Sequence, residues 1–381
     1  MGKKVFIVFV LIFIYSGLLV PVQIHAEDIL DETETYISIE DFDIKESSKA
    51  LKKNGYEDLN IKKMLDEIMN GNILEVMKSC AETIYQKTIG DISLVEKTLG
   101  NLLLIVIISA FFTNFANVFS SESISGTGFY ICYLLIITLM ITLFDSFCIL
   151  ASDFVKLLLD FMCGIIPAYF ISIAITGQVS AAGFYQLTLV IIGVVEFIFI
   201  NILIPLIKVY VSVSLVNNIS KEDFLSKTTD IIKNFVNFIN KTIVGIVAGL
   251  NIIQALILPA VDGAKNTAVR KVLGALPVVG DSTDAMTGIV LGSVNLIKNT
   301  IGGFTIIMII VFCAVPYLKI QLYSISMQIG AAVVQPIADR RIIGSMGCVQ
   351  EGIKMLTKVI VGAALLFIIS IAIICLVTGK E

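Results

Sequence analysis

The chain has 381 residues, of which 57% are apolar and only 15% are charged, and its mean hydropathy is +0.94. Soluble globular proteins carry about a quarter charged residues, so this composition excludes that class and indicates a polytopic membrane protein. The formal net charge of −4, without a dense cluster of Lys and Arg, excludes a nucleic-acid-binding surface, because phosphate binding needs clustered cations. We therefore expect an all-α helix bundle whose partner is the lipid bilayer.

Residues 1–26 have the pattern of a secretory signal peptide. Lys3 and Lys4 precede an uncharged, mostly apolar run, and Ala26 ends a possible cleavage site before acidic sequence. Ile24, three residues before the cut, is less typical than alanine or valine, so an uncleaved anchor is the alternative. In both cases the chain that follows begins outside the cytoplasm.

The segment 27–100 is predicted to be extracytoplasmic, with 17 acidic and 9 basic residues. Its first part, up to Glu46, has few aliphatic residues, and we expect it to be poorly ordered. Two amphipathic helices follow, the first ending near Asn70 and Gly71. Their apolar stripes are formed by Leu59, Met64, Leu65 and Ile68, and by Ile73, Met77, Cys80 and Ile84. Because these stripes are too small to bury a core alone, we expect the helices to pack on the membrane surface or on a partner.

Apolar runs predict seven or eight transmembrane helices, in a first group within 101–261 and a last group within 301–381. The predicted spans are 101–119, 129–150, 161–176, 184–209, 243–261, 302–318, 321–337 and 357–377. The third span is short and contains Gly164 and Pro167, so a half-length or broken helix is an alternative. The fourth is overlong, and Pro205 predicts a kink in it.

The distribution of cations predicts the topology. If all eight spans cross the membrane, the segments 262–300 and 338–358 are both cytoplasmic, as their Lys and Arg residues favour. The segment 217–241 would then be outside, where its four Lys residues fit less well. Topology in the middle of the chain therefore stays open at this point.

A polar, glycine-punctuated segment, 262–300, lies between two predicted spans and reads as a helical hairpin, whose outer ends are marked by Arg270 with Lys271 and by Lys298. Pro277 and Gly280 form its turn, and Asp281 or the next residue can cap the second arm, whose first turn also contains Asp284. The hairpin either lies flat at the cytoplasmic interface or re-enters the bundle, because non-helical backbone at membrane depth must be buried in protein or line water. In the re-entrant form, Asp281 and Asp284 line a polar path.

Charged residues inside apolar spans are costly, and each is therefore a functional candidate. Glu196 is the best candidate, because it lies midway through its run, in a helix that also contains Asn201. Asp145 and Lys208 lie nearer the ends of their runs, where snorkelling explains them well.

Other polar and small residues in the apolar runs are explained by packing. We expect Asn251 and Gln254 to form interhelical hydrogen bonds. Two small-x-x-x-small patterns predict close helix packing, at Gly245 with Gly249 and at Gly288 with Gly292.

Sequence patterns of catalysis and cofactor binding are missing. The sequence contains no Walker lysine loop, no H-E-x-x-H, no G-x-S-x-G and no dinucleotide-binding glycine pattern. The seven cysteines form no C-x-x-C pair, and His25 lies in the segment that signal cleavage would remove. We therefore expect no enzymatic activity, no cofactor and no metal site.

The order of these features and four local motifs resemble one known family, the stage III sporulation protein AE family. The motifs are LPVVGD at 276–281, VLGS at 290–293, LIKN at 296–299 and QPIADRR at 335–341. The likeness covers most of the chain and is strongest from residue 262 onward. The segment before the first span adds little to it.

The resemblance implies a multi-pass protein of the mother-cell membrane around the forespore of an endospore-forming bacterium. It implies partners from the same stage III sporulation operon, including a separate ATPase, and a role as platform or conduit in a secretion-type channel that supports forespore development and late forespore gene expression. No catalytic residues are carried over from the family. The alternative function is a stand-alone secondary transporter for a small solute, for which the central hairpin and the prolines at 167 and 205 are suggestive.

Overall fold

The computed structural model describes residues 45–89, 100–101, 103–110, 122–175, 181–219, 224–273 and 282–378, and all their regular structure is helical, as predicted. Three short helices come first: α1 (Lys45–Lys53), α2 (Ile61–Met69) and α3 (Ile73–Ile89). The longer helices are α4 (Glu122–Ile175), α5 (Ala181–Ile198), α6 (Ile204–Asn217), α7 (Ser226–Leu273), α8 (Ser282–Val334) and α9 (Arg340–Thr378). A π-helical segment, Phe199–Leu203, joins α5 to α6. The predicted signal peptide lies outside the described residues.

In the part of the chain that the structure describes, five helices are long and apolar enough to cross a membrane. They are Thr127–Ile173, Val190–Asn217, Ser226–Gln254, Asn295–Val334 and Arg340–Cys375. The predicted number of seven or eight spans is not confirmed.

The difference in number has two causes: two pairs of predicted spans each lie within one continuous helix, and of the predicted span 101–119 the structure describes only residues 101 and 103–110. The pair 129–150 and 161–176 lies in α4, which continues through Pro167, and the pair 302–318 and 321–337 lies in α8, which continues through Pro316. A proline removes one backbone hydrogen bond from a helix, a loss that packing against neighbouring helices can offset in a membrane bundle.

This continuity bears on the predicted topology. The bundle has two ends: the Arg340 end, where α4, α7 and α9 begin and α6 and α8 finish, and the opposite Ser282 end. Since α8 is continuous from Ser282 to Val334, residues 282–300 and the start of α9 lie at opposite ends of the bundle, which does not support the predicted placement of 262–300 and 338–358 on the same side. Residues 217–219 and 224–241 lie toward the Arg340 end beside α9, so Lys227, Lys233 and Lys241 lie on the same half of the bundle as the cations of α9.

The arms of the predicted hairpin are the ends of long helices, and not separate short ones. Helix α7 continues to Leu273, and α8 begins at Ser282, where the sequence predicted a helix start. The turn, with Pro277, Gly280 and Asp281, lies outside the described residues.

The N-terminal helices pack on the bundle of their own chain, mainly on α4 and α8. Helix α2 ends as predicted, with Asn70 as its C-cap and Gly71 at a φ of 79°. Buried Leu59, Met64 and Leu65 confirm most of its stripe. In α3 the predicted face is partly wrong, because Ile73 and Met77 are exposed while Val76, Cys80 and Thr83 are buried. Burial raises the pKa of the Cys80 thiol, which keeps it protonated at neutral pH.

Contacts with α4, α6, α7 and α8 place α9 at the centre of the bundle. The tightest of them is at Gly352, where an added Cβ would lie 2.3 Å from a Val211 methyl group and 2.8 Å from the Phe144 ring. A side chain at position 352 would force these neighbours to move. Gly352, Val211 and Phe144 therefore lie at the same height along the bundle axis.

Candidate functional site: charged side chains on the apolar bundle

An ion pair joins α4 to α6 on the outer surface of the bundle. Lys208 donates a hydrogen bond to Asp145, and both side chains remain a little under half exposed. The sequence attributed each residue to snorkelling, whereas the structure pairs them with one another. Pairing lowers the cost of placing two charges on an otherwise apolar surface.

A second group of charges joins α7 to α9. One carboxylate oxygen of Glu351 lies 2.9 Å from the Lys233 ammonium nitrogen, and the other lies 3.6 Å from that of Lys354. Glu351 neighbours Gly352, and Asp145 neighbours the Phe144 that contacts Gly352. The two charged groups therefore lie at one height along the bundle axis.

Polar contacts continue from this height toward the Ser282 end, about 10 Å further along α9. Lys358 donates to the Asn237 side chain at 3.1 Å, and the Asn240 amide donates to the Lys358 backbone carbonyl at 3.3 Å. Gln321 of α8 donates to the Thr357 hydroxyl at 3.4 Å. We call the charged residues of this zone, which is about 12 Å deep along the bundle axis, the charged belt. It consists of Asp145, Lys208, Lys233, Lys241, Lys319, Glu351, Lys354 and Lys358.

Further charges lie on one flank of the bundle, between the belt and the Ser282 end. On α4, Lys156 lies 3.9 Å from Asp153, and Asp160 accepts Lys53 of α1 at 3.0 Å. Glu196 of α5 is half-buried and close enough to Asp160 and Lys156 to interact electrostatically with both. We call Asp153, Lys156, Asp160 and Glu196 the charged flank.

Helix α1 covers part of the charged flank at very short range. A Cβ at Gly164 would lie 2.4 Å from the Ser47 backbone nitrogen, and the Ser47 hydroxyl donates to the Phe161 carbonyl at 3.5 Å. Tyr56 then packs edge-on against Phe312 of α8, with ring centroids 5.0 Å apart. The N-terminal helices therefore join α4 and α8 on this side.

The other predicted polar-path residues are distributed as follows. Asn201 is exposed in the π-helical segment, where its amide donates to the Phe197 carbonyl at 3.2 Å. The segment stands directly before Pro205, which lacks the donor that a regular α-helix needs. Asp281 lies outside the described residues, and Asp284 belongs to a stretch of α8, 282–294, whose side chains the structure does not describe.

The predicted packing residues on α7 contact no neighbouring helix among the described residues. A Cβ at Gly245 or Gly249 would meet no other atom within 4 Å. Gly288 and Gly292 belong to the undescribed side-chain stretch of α8. Of the predicted hydrogen bonds, that of Asn251 is confirmed, since its amide donates to the Ser370 hydroxyl at 2.7 Å. The buried amide nitrogen of Gln254 has no hydrogen-bond partner, so the predicted bond of Gln254 is not confirmed.

Lys298 is a polar residue that the sequence interpretation placed wrongly. As a marker of the outer end of the predicted hairpin it should reach the headgroup layer, but its side chain is only 1% exposed and donates to Asn295 at 3.0 Å. A signal was present, because Lys298 stands on the apolar face formed by Ile297 and Ile301, both also buried. A lysine on that face lies inside the bundle and not in the headgroup layer.

Among the described residues there is no group of three or more His, Cys, Asp or Glu side chains that could hold a metal ion. All seven cysteines are free thiols. The chemistry available to the charged flank is therefore that of carboxylates and ammonium groups, which bind water, protons and oppositely charged partners.

Comparisons with known proteins identify the family. Residues 59–378 match the family model described as stage III sporulation protein AE. A protein of that name from Bacillus subtilis (strain 168) is 22% identical over 312 residues, which is 81% of this chain and 78% of the relative. No solved structure matches the chain. Because the family model covers most of the sequence, the chain belongs to the stage III sporulation protein AE family.

Proposed function

We propose that this chain is a membrane-embedded subunit of the mother-cell-to-forespore channel or secretion complex. Its place is the mother-cell membrane around the forespore, where it supports forespore development and late forespore gene expression. Family membership gives the sporulation context and the apolar helices give the membrane context. Neither observation favours a stand-alone solute transporter, so the subunit of a larger complex is the one function that we propose.

One observation carries the proposal, namely that the bundle surface has two unlike regions. The charged flank lies on α4 and α5, whereas the described outward residues of α7 beyond Lys241 are uncharged, with exposed Ile246, Ile253 and Leu256. Lipid suits the apolar region only, because a charge in contact with hydrocarbon is costly. The charged flank suits a water-filled path or a polar partner, as in a subunit of a larger conduit.

Transport by the complex needs an energy source, and the sequence of this chain contains no motif for one. With no Walker loop in the sequence, ATP hydrolysis belongs to the separate ATPase of the same operon. The other proteins of that operon are the partners that would cover the charged flank. The subunit itself acts as platform or conduit without catalysis.

The first test is Glu196→Gln in sporulating cells. The substitution keeps the shape of the side chain and removes its charge, so we expect fewer heat-resistant spores at an unchanged level of the protein. Glu75→Gln is the matched control, because Glu75 is exposed on α3, outside the bundle. A normal spore yield for Glu196→Gln refutes the assigned role of Glu196.

A second test addresses the conduit directly. A cysteine at position 196 is labelled with a water-soluble maleimide in cells with and without the operon partners, and Cys163, the one exposed native cysteine of the seven, is replaced by serine. We expect labelling to change when the partners are deleted, since the charged flank then loses its cover or its path. Protection that is the same in both strains contradicts the conduit.

A further inference from the structure

One stripe of α9 faces outward, although α9 is the central helix of the bundle. Its members recur at helical spacing: Gly347, Lys354, Lys358 and Leu365 are exposed, and Glu351 and Val361 are half-buried. At one edge of the stripe the Lys358 ammonium donates to Asn237 of α7, and at the other edge Gln321 of α8 donates to Thr357. The stripe is therefore an exposed strip between α7 and α8, and we call it the α9 strip.

Four lysines meet where α7 borders the α9 strip. Lys354 and Lys358 belong to the strip and lie one helical turn apart. Lys233 and Lys241 lie on the face of α7 that contains Asn237, four positions before and after it. Because Asn237 accepts the Lys358 ammonium at 3.1 Å, the flexible side chains of Lys241, Lys354 and Lys358 can reach a common point on the surface. We call these three residues the lysine trio.

Carboxylates compensate only the fourth lysine, Lys233, at close range. Glu351 lies 2.9 Å from Lys233, with which Asp230 also interacts. The second oxygen of Glu351 lies 3.6 Å from Lys354. The other two members of the trio form no ion pair with a carboxylate of the described residues. The trio therefore carries an excess of positive charge on the surface of the bundle.

The lysine trio has the chemistry of a phosphate site. An ammonium group donates up to three hydrogen bonds and accepts none, so three of them together suit an anion with several acceptor oxygens. Lysine binds phosphate groups in this way, as a point charge. An anion between the three ammonium groups would also relieve the repulsion of each for the others.

We infer that the lysine trio binds a phosphate group on the surface of the bundle. Asn237 positions the Lys358 ammonium, and Lys233 holds the Glu351 carboxylate at the edge of the site. Toward the Ser282 end the α9 strip is uncharged, with Val361 and Leu365. The phosphate therefore belongs either to a phospholipid, whose chains would lie over those two apolar side chains, or to a soluble phosphate compound that contacts the lysines alone.

Binding assays on the full-length chain in a neutral detergent test the site. Inorganic phosphate is titrated by calorimetry at constant ionic strength. Phosphatidylglycerol binding is measured by native mass spectrometry from mixed micelles, with zwitterionic phosphatidylcholine as the reference lipid. Binding of inorganic phosphate, with or without the lipid, supports a site open to soluble phosphate compounds. A preference for phosphatidylglycerol without phosphate binding supports the lipid headgroup, and the absence of both overturns the site.

Removal of single charges locates the binding. Lys358→Gln should weaken binding about fivefold, because one exposed ion contact is lost while the new amide can still donate to Asn237. Lys227→Gln is the matched control, since Lys227 is also exposed and lies 14 residues, about 21 Å, from Lys241 along α7. Lys358→Arg keeps the charge and should retain the binding.

Equal affinities of the Lys358→Gln and Lys227→Gln variants overturn the site. Lys241→Gln repeats the comparison if Lys358→Gln misfolds. Spore yield is not a readout here, so the phosphate site and the proposed function fail separately.

Discussion

The hydroxyl groups of Tyr133 and Ser345 lie 2.6 Å apart in the buried interior, although 212 positions separate the residues. Tyr133 also donates to the Leu215 backbone carbonyl at 3.2 Å, and Ser345 donates to the Arg341 carbonyl at 2.8 Å. One phenol therefore ties α4 to the end of α6 and the start of α9. These contacts fix the heights of three helices at the Arg340 end.

Removal of the Tyr133 hydroxyl tests that tie. Tyr133→Phe leaves the Leu215 carbonyl without its side-chain donor in a buried site, and an unsatisfied buried polar group costs about 1–3 kcal/mol. We expect the free energy of unfolding in detergent micelles to fall by that amount. Tyr130→Phe is the control, since Tyr130 is 48% exposed on the same helix and water replaces whatever its hydroxyl loses. Equal stability of the two variants would show that the hydrogen bonds of Tyr133 contribute nothing net.

Adjacent glycines on α8 make an internal comparison of helix packing. A Cβ at Gly302 would lie 2.3 Å from the Cys375 sulfur and 3.4 Å from the Tyr169 ring, whereas one at Gly303 would meet nothing within 4 Å. Both substitutions to Ala gain the same helix propensity, but only the first overpacks a contact, which costs about 1–3 kcal/mol. We expect Gly302→Ala to be less stable than Gly303→Ala by that difference in thermal or chemical unfolding.

The origin of that difference can be checked with a double-mutant cycle. Cys375→Ala removes the sulfur that the new methyl group meets, so it should recover part of the loss in the Gly302→Ala background. A Gly302→Ala variant as stable as Gly303→Ala would mean that α8 and α9 are not in this close contact.

The attachment of the N-terminal helices depends on packing more than on charge. Gly164→Ala places a methyl group against the Ser47 backbone, which cannot rotate away, so α1 must move off α4. We expect faster limited proteolysis between residues 45 and 60. Lys53→Ala is the control, because an ion pair whose lysine is 74% exposed contributes only about 0–1 kcal/mol. Faster cleavage of the Lys53→Ala variant alone would mean that the ion pair, and not the packing at Gly164, holds α1 on α4.

Much of the molecule could be predicted from the sequence because the signals are local. Composition and long apolar runs indicated an all-α membrane protein, and motifs such as QPIADRR at 335–341 indicated the family. The end of α2 at Asn70 and the start of α8 at Ser282 followed from capping and turn residues, whose effect extends over a single helical turn. The Asn251 hydrogen bond followed from the high cost of an unpaired amide among helices.

Other features were decided by the tertiary structure. Asp145 lay near the end of a predicted span, yet α4 continues through it, and its cation, Lys208, comes from α6, 63 positions away. Lys298 is buried instead of marking an interface. Hydropathy and helical periodicity report neighbours within a few turns of the same helix. Which charge is paired, and which end of the bundle a segment reaches, depends on partners from other helices, and only the packed bundle brings those together.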